Sequence, residues 1–322
     1  MALENSCVGF KGFFRRSVGL KHLLSDKLGA PLRAVNRIAS STLIRGRLRA
    51  EAVDLLLNSI CATATTPKLA ARVLDRVLRD IVRPHHHAMF WGDRLLTLDK
   101  AAEFREDPAF QSALKQADSS TGANQYESPE GISWRYHTLI WAARTCLHLP
   151  GDFVECGVFR GDMTWMITQT VDLEAAGKRF YLYDTFAGLD PKYSSEDDFS
   201  DSPAFFRFID QEYRSPDIEA HVRRRFREKP YVLVTKGVVP DILHDVSPER
   251  IAFLHLDLNS PRAEQAALEF LFSRIAPGGI IIFDDYGWKQ FQKQKENTDR
   301  AMAKLGHVIL ELPTGQGLVV KN

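Results

Sequence analysis

Residues 151–167 read Gly-Asp-Phe-Val-Glu-Cys-Gly-Val-Phe-Arg-Gly-Asp-Met-Thr-Trp-Met-Ile. A short apolar run, Phe153–Cys156, passes directly into two glycines four positions apart, Gly157 and Gly161, and a helix-period segment begins at Asp162. The pattern predicts a buried strand, a tight turn and a helix, the first half of a crossover unit. Glycine at 157 allows a tight turn with no side chain in a ligand's way, and glycine at 161 lets the helix approach.

Outward from this unit, apolar runs of similar length recur at Arg179–Tyr183, Tyr231–Val234, Ile251–Leu256 and Ile280–Phe283, separated by helix-period segments. Alternation of this kind predicts a mostly parallel sheet covered on both faces. Two late runs, His307–Leu312 and Gly317–Val320, lie too close for a crossover. They predict an antiparallel pair at the sheet edge. The expected fold is therefore α/β, a doubly wound, mostly parallel seven-stranded sheet with its ligand site beyond the strands' carboxyl ends. Upstream, Ser133–His148 has the spacing of an amphipathic helix, and Phe104–Ala117 that of a helix interrupted at Pro108.

The glycine loop lacks both GxGxxG and GxxxxGK[ST], so it points to a ligand with no phosphate at this position. The second strand ends at Asp184. A carboxylate there is placed to accept hydrogen bonds from both hydroxyls of a ribose. The third strand ends in Lys236-Gly237. Together these features fit adenosine recognition, with Glu155, next to Cys156 at the end of the first strand, near a cationic amino-acid moiety. Two later strands end in Asp257 and in Asp284-Asp285. Adjacent strands lie about 4.8 Å apart, so these three carboxylates can converge. Such crowding is unfavourable without a cation, and an all-oxygen set selects a hard ion such as Mg²⁺, able to orient and acidify a substrate hydroxyl.

The 322 residues carry a net charge of +1, unevenly spread. Residues 1–83 hold 15 Lys/Arg against 6 Asp/Glu, and the remainder 27 against 35. We expect residues 1–125 to form a mainly helical, basic extension and 126–322 a catalytic domain, with a loop at Ser119–Gly122 near the boundary. The four cysteines are scattered without a CxxC pair, as in a reduced cytoplasmic protein. No apolar run reaches the ~18 residues that would span a bilayer.

The stretches GDFVECGVFRGDMTWMI, YLYDTFAGLD, VLVTKGVVPDIL, FLHLDLN and APGGIIIFDDYGW, in this order, resemble the macrocin O-methyltransferase family of class I methyltransferases. The resemblance covers residues 130–322 and implies S-adenosylmethionine as cofactor and a hydroxyl of a sugar or other small molecule as acceptor. By position it implies that Glu155, Cys156, Gly157 and Gly161 form the cofactor loop and that Asp184 holds the ribose. Thr185, Phe186, Lys236 and Gly237 would lie around the adenine. Asp257, Asp284 and Asp285 would ligate Mg²⁺, with Asp257 as general base, and Tyr136, His137 and Thr138, on a lid-like helix over the cofactor, would line the site. Where the antibiotic-sugar enzymes carry an acidic run after the fourth strand, this chain has Leu258-Asn259-Ser260-Pro261.

Two alternatives compete. An NAD(P)-binding Rossmann oxidoreductase is disfavoured by the glycine spacing and because no Tyr is followed by Lys four residues on. A catalytically silent module on the same fold would bind cofactor without turnover. Nucleic acid is not expected as a partner, since the fourth strand ends in LDLN and the domain is acidic. A homo-oligomer is compatible with the sequence.

Overall fold

The computed structural model describes residues 83, 86–117, 131–199, 206–207, 210–211, 213–214 and 216–322. The chain divides into two compact units, 1–87 and 88–322. The helices expected before residue 83, the loop at 119–122 and the boundary between 125 and 126 lie outside the described residues.

The second unit opens with a hairpin, β1 (Met89–Gly92) and β2 (Leu95–Leu98), closed by Asp93 and Arg94. Both turn residues have positive φ. The twist of a two-residue hairpin requires it. Pro108 does not interrupt a helix but starts one. It is the first residue of α1 (Pro108–Gln116), where a missing N–H costs nothing. The Asp107 carboxylate caps this helix, accepting from the N–H groups of Ala109 and Phe110 at 2.8 and 3.0 Å. After α2 (Ser133–Cys146) comes the sheet unit proper: β3 (Asp152–Cys156), α3 (Asp162–Thr170), β4 (Phe180–Asp184), α4 (Ile218–Arg225), β5 (Val232–Lys236), β6 (Ile251–Leu256), α5 (Pro261–Leu271), β7 (Ile275–Phe283), α6 (Gln292–Lys304), β8 (Leu310–Glu311) and β9 (Gly317–Val320).

The seven strands lie in the order β5-β4-β3-β6-β7-β9-β8, parallel from β5 through β7, with β9 antiparallel to β7 and β8 antiparallel to β9. Successive strand residues face opposite layers. Phe153 and Phe253 pack with α2, α3 and α4, whereas Val154 and Leu254 pack with α5 and α6. β7 starts earlier than its apolar run suggests. Ile275 pairs with Ile251, the register then shifts, and Ile280 pairs with Phe253, so Ala276–Gly279 form an irregular stretch inside the strand. β8 is shorter than expected, keeping only Leu310 and Glu311 in the ladder.

The hairpin and α1 pack with the sheet unit. Phe110 and Ala113 are buried in the α2/α3 layer, and Trp165 of α3 donates Nε1–H to the Ala113 carbonyl at 3.2 Å. Among the described residues no helix is long and apolar enough to cross a membrane.

Candidate active site

Strand order reverses between β3 and β6, so the loops leaving these two strands part and open a crevice. Gly157 stands at its floor with φ 89°. A Cβ there would fall 1.9 Å from the Asp257 carbonyl oxygen, so only glycine lets the two loops meet. The cavity above is lined by Gly157, Phe159, Asp184 and Thr185 on one side, Val238 and Val239 on a second, and Tyr213, Asp257, Leu258 and Asn259 on a third.

Asp184 braces this loop. Its Oδ2 accepts from the backbone N–H groups of Val158 and Phe159 at 2.7 and 2.9 Å, and its Oδ1 accepts from Phe186 N–H at 2.6 Å. Burial pushes this carboxyl above its ordinary range, and the three donors work against that shift. Thr185 also lines the cavity, with its hydroxyl donated to the Gly188 carbonyl at 2.6 Å.

The acidic end of the crevice follows from register. Glu155 pairs with His255 and His255 with Ile282, which aligns the ends of β3, β6 and β7. Glu155 is buried beneath the loop: Thr164 donates its hydroxyl to one carboxylate oxygen, and His255 Nδ1 stands 2.9 Å from the other. His255 Nε2 is buried without a hydrogen-bond partner, and its nearest acidic oxygen is Asp284 Oδ1 at 3.5 Å. Burial opposes a charge on this imidazole, but the Asp284 and Glu155 carboxylates prevail and push its pKa up to about 10.

Asp284, 2% exposed, accepts from Gln316 Nε2 at 2.8 Å and from Arg135 Nη1 at 2.5 Å. Despite burial, the Arg135 guanidinium and His255 hold Asp284 well below the usual carboxylate range. Asp257 behaves in the opposite way. Burial and the negative charges of Asp284 and Asp285 hold its carboxyl well above that range. Asn259 donates Nδ2–H to both Asp257 Oδ1 (3.3 Å) and the Tyr213 hydroxyl (3.2 Å). The helix after this loop is capped by Ser260, whose hydroxyl accepts from Ala263 N–H, so Asp257 has no capping role and faces the crevice.

Of the residues expected from the sequence, Gly157, Asp184, Thr185 and Asp257 meet at the cavity. Cys156 is buried in the sheet, its thiol pushed up by burial. Gly161 starts α3 at φ 78°, where a Cβ would press on the Phe226 ring. The Phe186 side chain packs into the α2/α3 core layer. Lys236 turns outward to Glu219 at 2.8 Å, and Gly237 donates its N–H to the Asp184 carbonyl; Val238 and Val239 face the cavity instead. The ligand-type atoms that converge, within 4.8 Å of one another, belong to His255, Asp257 and Asp284, with Asp285 outside that set. His255 stood in the quoted motif beside Asp257, and its even spacing from Phe253 on an otherwise apolar strand was the available signal.

Tyr136, His137 and Thr138 do not line the cavity. Tyr136 is core, His137 stacks on Phe104 at 4.0 Å, and Thr138 donates to the Trp134 carbonyl. α2 instead delivers Arg135, 8% exposed, whose guanidinium also forks onto Asp93 at 2.6 and 3.2 Å and stands 3.4 Å from Asp285. Sequence periodicity gave no sign of this arginine, because a charged residue on an amphipathic helix reads as solvated.

The same architecture occurs in the solved structure of the O-methyltransferase NovP, which aligns over 80% of this chain and 100% of that one with a TM-score of 0.53 and 18% identity. In sequence, the chain is 30% identical over 147 residues to mycinamicin III 3''-O-methyltransferase of Micromonospora griseorubida, covering 43% of this chain and 56% of that protein. It is also 30% identical over 152 residues to 8-demethyl-8-(2,3-dimethoxy-alpha-L-rhamnosyl)-tetracenomycin-C 4'-O-methyltransferase of Streptomyces olivaceus, covering 43% and 54%. The chain thus spans about half the length of these relatives. The model of the macrocin O-methyltransferase family matches residues 139–311, from within α2 to the end of β8 and through every loop that walls the crevice. With more than half of its length matched, the chain belongs to the macrocin O-methyltransferase (TylF) family.

Proposed function

We propose that this protein is an S-adenosylmethionine-dependent methyltransferase acting on a hydroxyl of a small molecule, a sugar or similar natural-product acceptor. The observation that carries this reading is the cradle at Gly157. It is a position where any Cβ would strike the Asp257 carbonyl, opening into a cavity walled by Asp184 and Asp257. That cradle fits a nucleoside ligand lying across the switch point, with Val238 and Val239 offering an apolar wall for a base. S-adenosylmethionine, when bound, supplies a methyl group already activated by the sulfonium charge.

The chain's own residues then have two tasks. Asp184, by fixing the N–H groups of 158 and 159, keeps the loop open and in register. Alignment of reactants is worth on the order of 7–11 kcal/mol. Asp257, which lines the cavity with its Oδ1 held by Asn259, would take the acceptor's proton as the ionised carboxylate.

A hard divalent cation such as Mg²⁺ forms part of the same proposal. The buried Nε2 of His255 lacks a hydrogen-bond partner and stands beside Asp257 and Asp284. Its Nδ1 is oriented by Glu155, the arrangement that a ligating histidine uses. Asp257, Asp284 and His255 would hold the ion, His255 by giving up its Nε2 proton as the ion binds, and Asp285 would add a third negative charge nearby. When bound, it supplies Lewis acidity toward the acceptor hydroxyl. The free, buried thiols of Cys146 and Cys156 support a reducing, cytoplasmic setting.

Calorimetry with S-adenosylmethionine and with NAD(H), each with and without Mg²⁺, tests the cofactor. Binding of NAD(H) alone would sink the proposal. Transfer of a labelled methyl group to an extract of small molecules then separates an enzyme from a silent module.

A further inference from the structure

Arg135 stands where the acidic end of the crevice meets the β1–β2 hairpin. Its guanidinium has three anionic neighbours: Asp93, forked at 2.6 and 3.2 Å, Asp284 at 2.5 Å and Asp285 at 3.4 Å. The ring of Trp288 lies 5.0 Å from the guanidinium carbon and also faces Arg94 at 4.9 Å, so the group is enclosed on that side. Two of the three neighbours are the Asp-Asp pair that follows β7. Asp93 lies apart from them, in the hairpin turn.

The consequence concerns the cation proposed above, and it rests on that reading. Both oxygens of Asp284 are engaged: Oδ2 carries the Arg135 contact at 2.5 Å, and Oδ1 accepts from Gln316 at 2.8 Å. A divalent ion needs a carboxylate oxygen at roughly 2.1 Å. It cannot take Asp284 Oδ2 while a guanidinium nitrogen sits on it, because two like charges would share one buried oxygen. We propose that Arg135 is a resident cation that neutralises Asp284 and Asp285 until a divalent ion arrives, then yields them and remains held by Asp93. Arg135 is thus a positioning residue, a built-in competitor that sets the affinity and selectivity of the metal site, with Asp93 as its second anchor.

The test is Mn²⁺ binding to the full chain, read from the electron paramagnetic resonance signal of free Mn²⁺, with thermal melts confirming that each variant is folded. Arg135→Gln removes the competitor and should tighten Mn²⁺ binding at least tenfold. Asp93→Asn removes the second anchor, leaves the guanidinium to Asp284 and Asp285, and should weaken binding several-fold. A merely structural role predicts loss in both, so opposite signs are the signature. Should Arg135→Gln fail to fold with the Asp93 charge left in place, the double variant Asp93→Asn/Arg135→Gln removes both charges of this pair and should again bind more tightly than wild type. Asp257→Asn added to any background should abolish the binding, which locates the ion. If wild type binds Mn²⁺ and the Arg135 variants bind no more tightly, the competitor role is overturned and the metal reading stands. If neither wild type nor a folded Arg135 variant binds Mn²⁺ at millimolar concentration, the metal reading falls and takes this inference with it. Binding seen only after Arg135 is replaced supports the inference.

Discussion

Gly157 is the position at which a single atom decides whether the crevice exists. Alanine there would need a left-handed backbone, which costs about 1–2 kcal/mol. Its Cβ would then meet the Asp257 carbonyl. Because the obstacle is backbone in a neighbouring strand loop, it cannot swing aside. Gly157→Ala should therefore lower the melting temperature and abolish S-adenosylmethionine binding together, as calorimetry and thermal denaturation would show. Asp184 separates two roles that the sequence could not. Its place at the end of β4 is legible from strand spacing, but its three backbone donors are not, because they depend on how the 157–161 loop folds back. Asp184→Ala should raise the S-adenosylmethionine dissociation constant at least tenfold. Through lost charge-assisted hydrogen bonds it should also cost about 2–3 kcal/mol of stability. A melting point that falls while the dissociation constant holds would leave Asp184 as a loop brace only. The late carboxylates divide similarly. Asp257 lines the cavity and Asp285 does not. Asp257→Asn should reduce kcat by about 100-fold or more and Asp285→Asn by less, with S-adenosylmethionine affinity kept in both. An equal loss in both variants would restore Asp285 to the centre of the site.

Strands were the most legible elements because burial on both faces makes them continuous apolar runs. Ile251–Leu256 and Gly317–Val320 coincide with β6 and β9 residue for residue. The start of β7 was hidden because Pro277-Gly278-Gly279 reads as a stop, whereas the ladder passes through them with a register shift. Polar pairings between helices were invisible for the opposite reason: a glutamate on a helix gives no sign of being buried. Glu264 of α5 is 1% exposed and accepts from Gln294 Nε2 at 2.7 Å and Thr298 Oγ1 at 3.2 Å, both on α6. Burial holds its carboxyl well above the ordinary range, so the folded protein favours the protonated form. A carboxyl raised on folding adds stability below its unfolded pKa, about 4.3, and loses it progressively as pH rises toward the folded value. Glutamine mimics the neutral carboxyl without titrating. Glu264→Gln should then match or exceed wild-type melting temperature at pH 8, with its relative advantage shrinking toward pH 5. A variant that is less stable at pH 8 than at pH 5, relative to wild type, would show that Glu264 folds as the carboxylate.

The unit that must stay intact to present the crevice begins before the sheet. Sequence composition draws the eye to residue 126 as a starting point, since the strand–helix rhythm is clear only after it. The packed unit nevertheless begins at Ala88. Residues 88–117 bring Phe90 and Phe110, 4% and 3% exposed, and the carbonyls of Ala113 and Gln116, which accept from Trp165 and Arg225. They also bring Asp93, the hairpin partner of Arg135. These contacts were unreadable in advance because each joins residues tens of positions apart, through the tip of a hairpin or one face of a short helix. Their removal exposes the outer face of α3 and leaves Arg135 without its forked partner. At roughly 1.5–3 kcal/mol for each large apolar side chain, loss of the hairpin and α1 costs on the order of 5 kcal/mol. For a unit of this size that corresponds to a fall of about 10–20 °C in melting temperature. Chains starting at Ala88 and at residue 126 should therefore differ. The longer should melt cooperatively and bind S-adenosylmethionine. The shorter should melt at least about 10 °C lower and bind a hydrophobic dye through the uncovered α3 face. Equal melting temperatures for the two would mean that the hairpin and α1 are ornaments on a self-sufficient sheet, and the Asp93–Arg135 fork would lose its claim on the site.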